Sequence, residues 1–304
     1  MTKRPDVWMV GSIGIDDVET RDVSRTNLLG GSLPFATIAA SFAGAKVGAV
    51  GVVGSDFPKT FEKRWNKFGI DLEGVQHKAG PNFRWAGKYD ENMIDRTTIR
   101  TELGVFADFM PLLPESYRSA PYVLLGNIQP DLQLHVLKQA KRPKFVALDS
   151  MNLWIDIALP SLKKIIAEVD LLTVNDGEAR QLTGKWNLRD CATEILKMGP
   201  KYVLLKKGEH GALLFTKKDV FIVPAYPVKT LKDPTGAGDT YAGAFMGYLS
   251  KAGSLNSHTL RKALFFASAM ASFCVEGFSI ESLEKLSKAA VAKRVRELEK
   301  MTKV

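Results

Sequence analysis

The sequence predicts an α/β fold, a doubly wound and mostly parallel sheet with helices on both faces, and two patterns predict it. Short runs rich in Val, Leu and Ile recur between amphipathic helical stretches along most of the chain. Several of those runs are continuously apolar rather than alternating, as strands covered on both faces must be. A chain of 304 residues is long enough to bury such a core.

Taken in order, the strand-like runs are DVWMVGSI from Asp6, KVGAVGVVG from Lys46, PYVLLGN from Pro121, KFVALDS from Lys144, DLLTVND from Asp170 and KYVLLKKG from Lys201. Helical stretches such as FPKTFEKRWNKFG, PDLQLHVLKQA and RDCATEILKMG lie between them. FRWAGKYD from Phe83 and RTTIRTEL from Arg96 have strand composition, with a polar turn and no helix between them. They predict a β-hairpin lid over about 83–103, with residues 14–30 as a further contributor. Trp85 and Tyr89 alternate there with Arg84 and Lys88, so one lid face is aromatic. From residue 238 the pattern is helical: GDTYAGAFMGYLSKAG, SHTLRKALFFASAMASFCVEG and ESLEKLSKAAVAKRVRELEKM. No repeat or low-complexity linker divides the chain, so residues 1–304 are expected to form one domain plus the lid.

Composition removes several functional classes. Hydrophobic residues are 45% and charged residues 25%, which excludes a disordered or fibrous chain. No segment is long and apolar enough to span a bilayer, and MTKRPDVWMVGSIGIDD reads as a first strand rather than a leader. Two cysteines, Cys191 and Cys274, suit a reducing cytoplasm, and four scattered histidines show no metal-ligand spacing. The net charge of +9 is spread over the chain, and its densest group, KRVRELEK, is interleaved with glutamates. No nucleic-acid partner is therefore expected.

One stretch carries chemistry on its own terms. In TGAGDT, the small residues Gly236, Ala237 and Gly238 let backbone N–H groups approach an anion at the start of a helix. Asp239 follows at once, either as a helix cap or as a base beside a phosphate site. The P-loop pattern is absent, and GSIGIDD after the first strand is only a partial dinucleotide fingerprint with acids where pyrophosphate would sit.

These residues resemble the ribokinase-like (PfkB-type) kinases of carbohydrates and nucleosides. DPTGAGDTYAGAF is similar to the family's C-terminal signature. The resemblance extends through GSIGIDD, GGSLPFATIAASFAGAKVGAVGVVGSDF, NDGE and LLKKGEHGALL. It implies the ribokinase-like fold, ATP and Mg2+ as cofactors, and Asp239 as the general base with Gly236, Ala237 and Gly238 as the anion hole. Asn175 is implied at the nucleotide, and Glu178 at magnesium through water. Lys206, Gly208 and Gly211 would border the nucleotide, Asp233 would help hold K+ as in some members, and Asp16, Gly30 and Gly31 would bind the acceptor. Read locally, Glu178 could instead complement a helix dipole and Lys206 could be a snorkelling surface lysine.

The acceptor side departs from the ribose-binding pattern. Gly14 and Phe35 stand where those relatives have asparagines, removing two amides that bond sugar hydroxyls. Phe35 offers a ring face to a nucleobase or cyclitol, or is a core residue of its helix. Asn127, Asp149 and Asn152 end two strands where a parallel sheet binds ligands and are further substrate candidates. The expectation is an ATP-dependent kinase that phosphorylates a hydroxyl of a small sugar or sugar-like acceptor, acting as a monomer or homodimer. A nucleoside kinase of adenosine or cytidine type, an inositol kinase and a catalytically weak nucleotide-binding regulatory protein are the alternatives.

Overall fold

The continuous apolar runs form the middle of a nine-stranded sheet in the computed structural model, which describes residues 4–303. In chain order the strands are β1 (Val7–Val10), β2 (Gly14–Glu19), β3 (Ser24–Gly30), β4 (Val47–Val53), β5 (Asp71–His77), β6 (Phe83–Tyr89) and β7 (Arg96–Glu102). β8 (Tyr122–Leu125), β9 (Phe145–Asp149), β10 (Leu171–Asn175), β11 (Tyr202–Lys206), β12 (Ala212–Phe215) and β13 (Val220–Val223) follow. The large sheet has the order β13-β12-β11-β10-β9-β8-β1-β4-β5. Strands β5 to β11 of that order pair in parallel, while β11-β12-β13 is an antiparallel edge. Every residue of β1, β4, β8 and β9 is buried, as strands covered on both faces require.

Alternate residues of β1 serve two cores. Val7 and Met9 pack with the helices Ser32–Phe42, Ala237–Ala252 and Ser257–Cys274 on one face. Trp8 and Val10 pack with Leu159–Ile166, Asp176–Thr183 and Leu188–Lys197 on the other. The crossing of Ser32–Phe42 and Ala237–Ala252 is unusually close. A Cβ at Gly243 would fall 2.1 Å from the Ala36 carbonyl, and one at Gly247 would fall 2.5 Å from Ala40 Cα. The second half of DPTGAGDTYAGAF therefore serves helix packing, and it fixes the helix whose first turn carries the acid.

Strand β5, DLEGVQH, is partly exposed at one edge of the sheet and lacks a continuous apolar run, while the short apolar strands β12 and β13, ALLF and VFIV, form a hairpin at the other edge. The last helical stretch is two helices, Glu281–Glu284 and Lys288–Met301, because Ser287 Oγ accepts the Ala290 N–H and starts a new helix. The projection joins the 83–103 hairpin to residues 14–30: β3-β2-β6-β7 form a separate four-stranded sheet in which β2 and β6 run parallel. No described helix is long and apolar enough to cross a membrane.

Candidate active site

The C-terminal ends of the parallel strands meet the first turn of Ala237–Ala252. Gly236 caps that helix in the left-handed region, at φ +76°, and any Cβ there would strike the Phe35 ring at 2.5 Å. Glycine is required on both counts. The turn is held from below by Asp233, whose Oδ1 accepts the Thr235 N–H at 2.9 Å. Asp239 occupies the first helical turn beside the free N–H groups rather than the cap position.

Lys206 reaches this turn from the end of β11. Its ammonium lies 3.2 Å from where a Gly238 Cβ would be and donates to Asp149 Oδ1 at 2.8 Å. Burial pulls the Lys206 pKa down, but Asp149 and Glu178 outweigh it and hold the ammonium above its ordinary value. Burial and the nearby Asp149 charge push the Asp239 carboxyl up to about 6, against the opposing pull of Lys206 and Arg96. A carboxyl so placed can exchange a proton near neutrality. Asn175 caps Asp176–Thr183 in a capping box: its Oδ1 accepts the Glu178 N–H, and Glu178 Oε2 accepts the Asn175 N–H, each at 2.7 Å. Burial raises the Glu178 carboxyl to about 6, with Lys206 opposing.

On the other side lies Asp16, buried at 5% exposure with Oδ1 unpartnered. Its carboxylate rests on bare backbone, since a Cβ at Gly30 would fall 1.9 Å from Oδ2 and one at Gly14 would fall 2.8 Å from Oδ1. Burial raises this carboxyl to about 7, assisted by the charges of Asp233, Asp17 and Asp239 and opposed by the Gly31 N–H. A buried acceptor atom without a donor is costly, and a ligand hydroxyl would satisfy it. In register with Gly14 and Asp16 stand Phe83 and Trp85 of β6, so the aromatic face lines the same side as the carboxylate.

Several sequence candidates have other partners. Phe35 is 1% exposed and supports Gly236 from beneath, so its ring is not an acceptor surface. Asn127 accepts from Trp154 Nε1 at 2.7 Å and turns its amide to Met151 Sδ, which tethers the segment after β9. Asp149 is the partner of Lys206, and Asn152 is an exposed first residue of a short helix. Gly211, at φ +87°, lets the chain beyond β13 lie against its turn, 2.1 Å from a Cβ to the Val223 carbonyl; Gly208 faces open space. Reasoning on the sequence placed Tyr89 on the aromatic lid face but missed that its hydroxyl meets Thr235 Oγ1 at 3.1 Å, and it missed Arg96, paired with Tyr89 across β6 and β7. It also missed Phe278, which packs with Val18, Tyr89 and Met93 under the small sheet.

A glycine turn with an adjacent acid, at the strand ends of a ribokinase-like fold, belongs to a phosphotransferase that acts on a hydroxyl. The chain belongs to the pfkB family of carbohydrate kinases, whose family model matches residues 13–285. It is 30% identical over 252 residues to a cytidine kinase of Thermococcus kodakarensis, an alignment covering 81% of this chain and 89% of that one. The fold matches a Burkholderia thailandensis nucleoside kinase in complex with inosine at a TM-score of 0.79 and 18% identity, over 96% of this chain and 98% of that one. It matches Arabidopsis thaliana ribokinase complexed with ribose and ATP at a TM-score of 0.76 and 23% identity, over 96% and 99%.

Proposed function

We propose that this carbohydrate or nucleoside kinase transfers the γ-phosphate of ATP to a hydroxymethyl group of a nucleoside. The observation that carries the reading is the orphaned Asp16 carboxylate in register with an aromatic strip. Its free oxygen suits sugar hydroxyls, while Phe83 and Trp85 suit a planar base. The likeness to a cytidine kinase over most of both chains supports the same choice.

In this reading Asp16 and the backbone at Gly30 and Gly31 orient the acceptor, and the four-stranded sheet covers it and excludes water. Asp239 takes the hydroxyl proton as the acceptor oxygen attacks the γ-phosphorus. The bond to the bridging oxygen breaks and ADP leaves. The N–H groups of Gly236, Ala237 and Gly238 and the Lys206 ammonium stabilise charge on the transferring group. Asn175, Gly208 and Gly211 border the nucleotide.

The donor set fits magnesium held through water and phosphate. Glu178 commits one oxygen to its capping box, and no cluster of three or more metal-ligating side chains occurs among the described residues. Magnesium would neutralise the β- and γ-phosphates. Asp233, fully buried and without a cationic side-chain partner among the described residues, fits a monovalent cation such as potassium. Both cysteines are free and buried, which supports a cytoplasmic setting.

An ADP-release panel of pentoses, hexoses, inositols and nucleosides tests the proposal. The highest kcat/KM should fall to a nucleoside; a pentose or an inositol in that place overturns the nucleoside reading, and ATP binding without release on any acceptor overturns the transfer itself.

A further inference from the structure

Asp17 follows Asp16 on β2 and points from the opposite face of the small sheet. The pairing with β3 is irregular there: Asp16 stands opposite Leu28 and Val18 opposite Arg25, so Thr26 and Asn27 together face Asp17. That two-against-one step is a β-bulge, which bends a strand and re-aims its side chains. Asn27 sits at φ +53°, in the left-handed region that asparagine enters more readily than most residues with a Cβ. Its N–H is donated to Asp17 Oδ1 at 2.8 Å.

The second oxygen of the same carboxylate is held across two strands. Asp17, Ala86 of β6 and Arg100 of β7 lie in one register row, and Arg100 Nη2 reaches past the small Ala86 side chain to Asp17 Oδ2 at 3.2 Å. Asn27 Oδ1 accepts from Arg84 Nη1 at 3.3 Å, and Arg84 Nη2 donates to Asp56 Oδ2 at 3.4 Å in the segment after β4. Asp56 Oδ1 accepts the Asn82 N–H at 2.6 Å. All four strands of the small sheet are thereby joined behind Asp16 and fixed to the body. The side chains of Asp17 and Arg100 are 28% and 50% exposed, so their ion pair adds little to stability. Its contribution is geometric. Asp16 itself rests on the bare backbone of Gly14 and Gly30 with one oxygen unpartnered, and no side chain among the described residues bonds it. We propose that Asp17 is a positioning residue for the acceptor: by holding the left-handed bulge at Asn27 it sets the course of β2 and β3 around Asp16, and with it the place of the carboxylate that receives the acceptor hydroxyl.

The inference rests on the acceptor role of Asp16 proposed above, and the test separates the two. With the best acceptor from the ADP-release panel, Asp17→Ala should raise the acceptor KM about three- to tenfold, the range of one lost hydrogen bond. The ATP KM and kcat should change by less than about twofold, and Tm should fall by less than about 4 °C. Asp17→Asn removes the charge but keeps an oxygen for the Asn27 N–H, and it should recover most of the loss. Asn27→Val, whose branched side chain resists the left-handed backbone, should reproduce the Asp17→Ala defect; Asn27→Gly, which keeps that backbone, should raise KM far less. In the Asp16→Asn background, Asp17→Ala should add nothing, because it acts through the Asp16 carboxylate. An acceptor KM of Asp17→Ala within about 1.5-fold of wild type overturns the proposal, as does Asp17→Asn no better than Asp17→Ala, or a full additional loss on Asp16→Asn. In each of those cases a raised acceptor KM in Asp16→Asn alone leaves the acceptor reading standing; an unchanged KM in Asp16→Asn overturns both.

Discussion

The two halves of the site handle buried charge in opposite ways. On the transfer side several polar groups already have protein partners: Lys206 with Asp149, Asn175 with Glu178, and Asp233 with the Thr235 N–H. On the acceptor side Asp16 is left with a buried, unpartnered oxygen. The difference teaches which half is preorganised. Electrostatic stabilisation of a transferring phosphoryl group is effective when the dipoles are already fixed. Recognition of a hydroxyl is selective when a buried acceptor goes unpaired without it.

The largest expected effect breaks the transfer half at its base. Asp239→Asn should reduce kcat by roughly 10²–10⁴-fold with ATP binding retained, measured by ADP release and calorimetry. In the wild type, kcat should rise with pH through about 6, because the carboxyl must lose its proton before it can accept one. A flat profile between pH 5 and 7 would count against Asp239 as the base.

Lys206 comes next, because it joins stability to turnover. Its side chain is 16% exposed and that of Asp149 is 7% exposed. Lys206→Met leaves a buried carboxylate unpaired and should cost about 3–5 kcal/mol in denaturant unfolding. Adding Asp149→Leu should return most of that stability without returning turnover. Recovery of both would reduce Lys206 to a structural role.

The acceptor half should respond in the reverse sense. The Asp16 carboxyl is about 7 in the folded protein against an ordinary 3.8, so the native state holds its proton more tightly than the unfolded chain. Stability from this group is complete below about pH 4 and is lost as pH rises toward 7. Asp16→Asn should therefore raise Tm above pH 7 by roughly 2–6 °C, with little change near pH 4. The same substitution should raise the acceptor KM at least tenfold. A variant less stable at pH 8 would mean that the carboxylate has a partner in the folded protein.

How far the sequence discloses each half follows from chain distance. Gly236 to Asp239 are contiguous, so the anion turn and its acid are legible from four letters. The capping box of Asn175 and Glu178 is local and legible for the same reason. The Lys206 to Asp149 pair spans β11 and β9 with β10 between, and nothing in either strand announces it. Phe35 has a helical environment in the sequence whether it faces ligand or core. Its burial follows from the Gly236 turn lying on its ring, some two hundred residues away in the chain. Strand alternation gives the aromatic face of β6, but not that Tyr89 lands on Thr235. Edge strand β5, DLEGVQH, lacks the continuous apolar run that marked the centre of the sheet.

The contact between Tyr89 and Thr235 joins the two halves, and its loss is the smallest effect expected. Tyr89 is buried at 4% exposure in a cluster with Val18, Met93 and Phe278, so the ring holds the small sheet to the body even without its hydroxyl. Tyr89→Phe keeps that packing and removes one hydrogen bond, worth about 0.5–1.5 kcal/mol. If the bond forms equally in the free and the reacting enzyme, only stability should fall. If it is made chiefly as the sheet closes on an acceptor, the loss should appear as a two- to tenfold decrease in kcat/KM with unchanged Tm. Thr235→Val should reproduce it, and the double variant should be no worse than either single one, because both remove the same bond. Additive losses would mean that the two side chains act on the site separately.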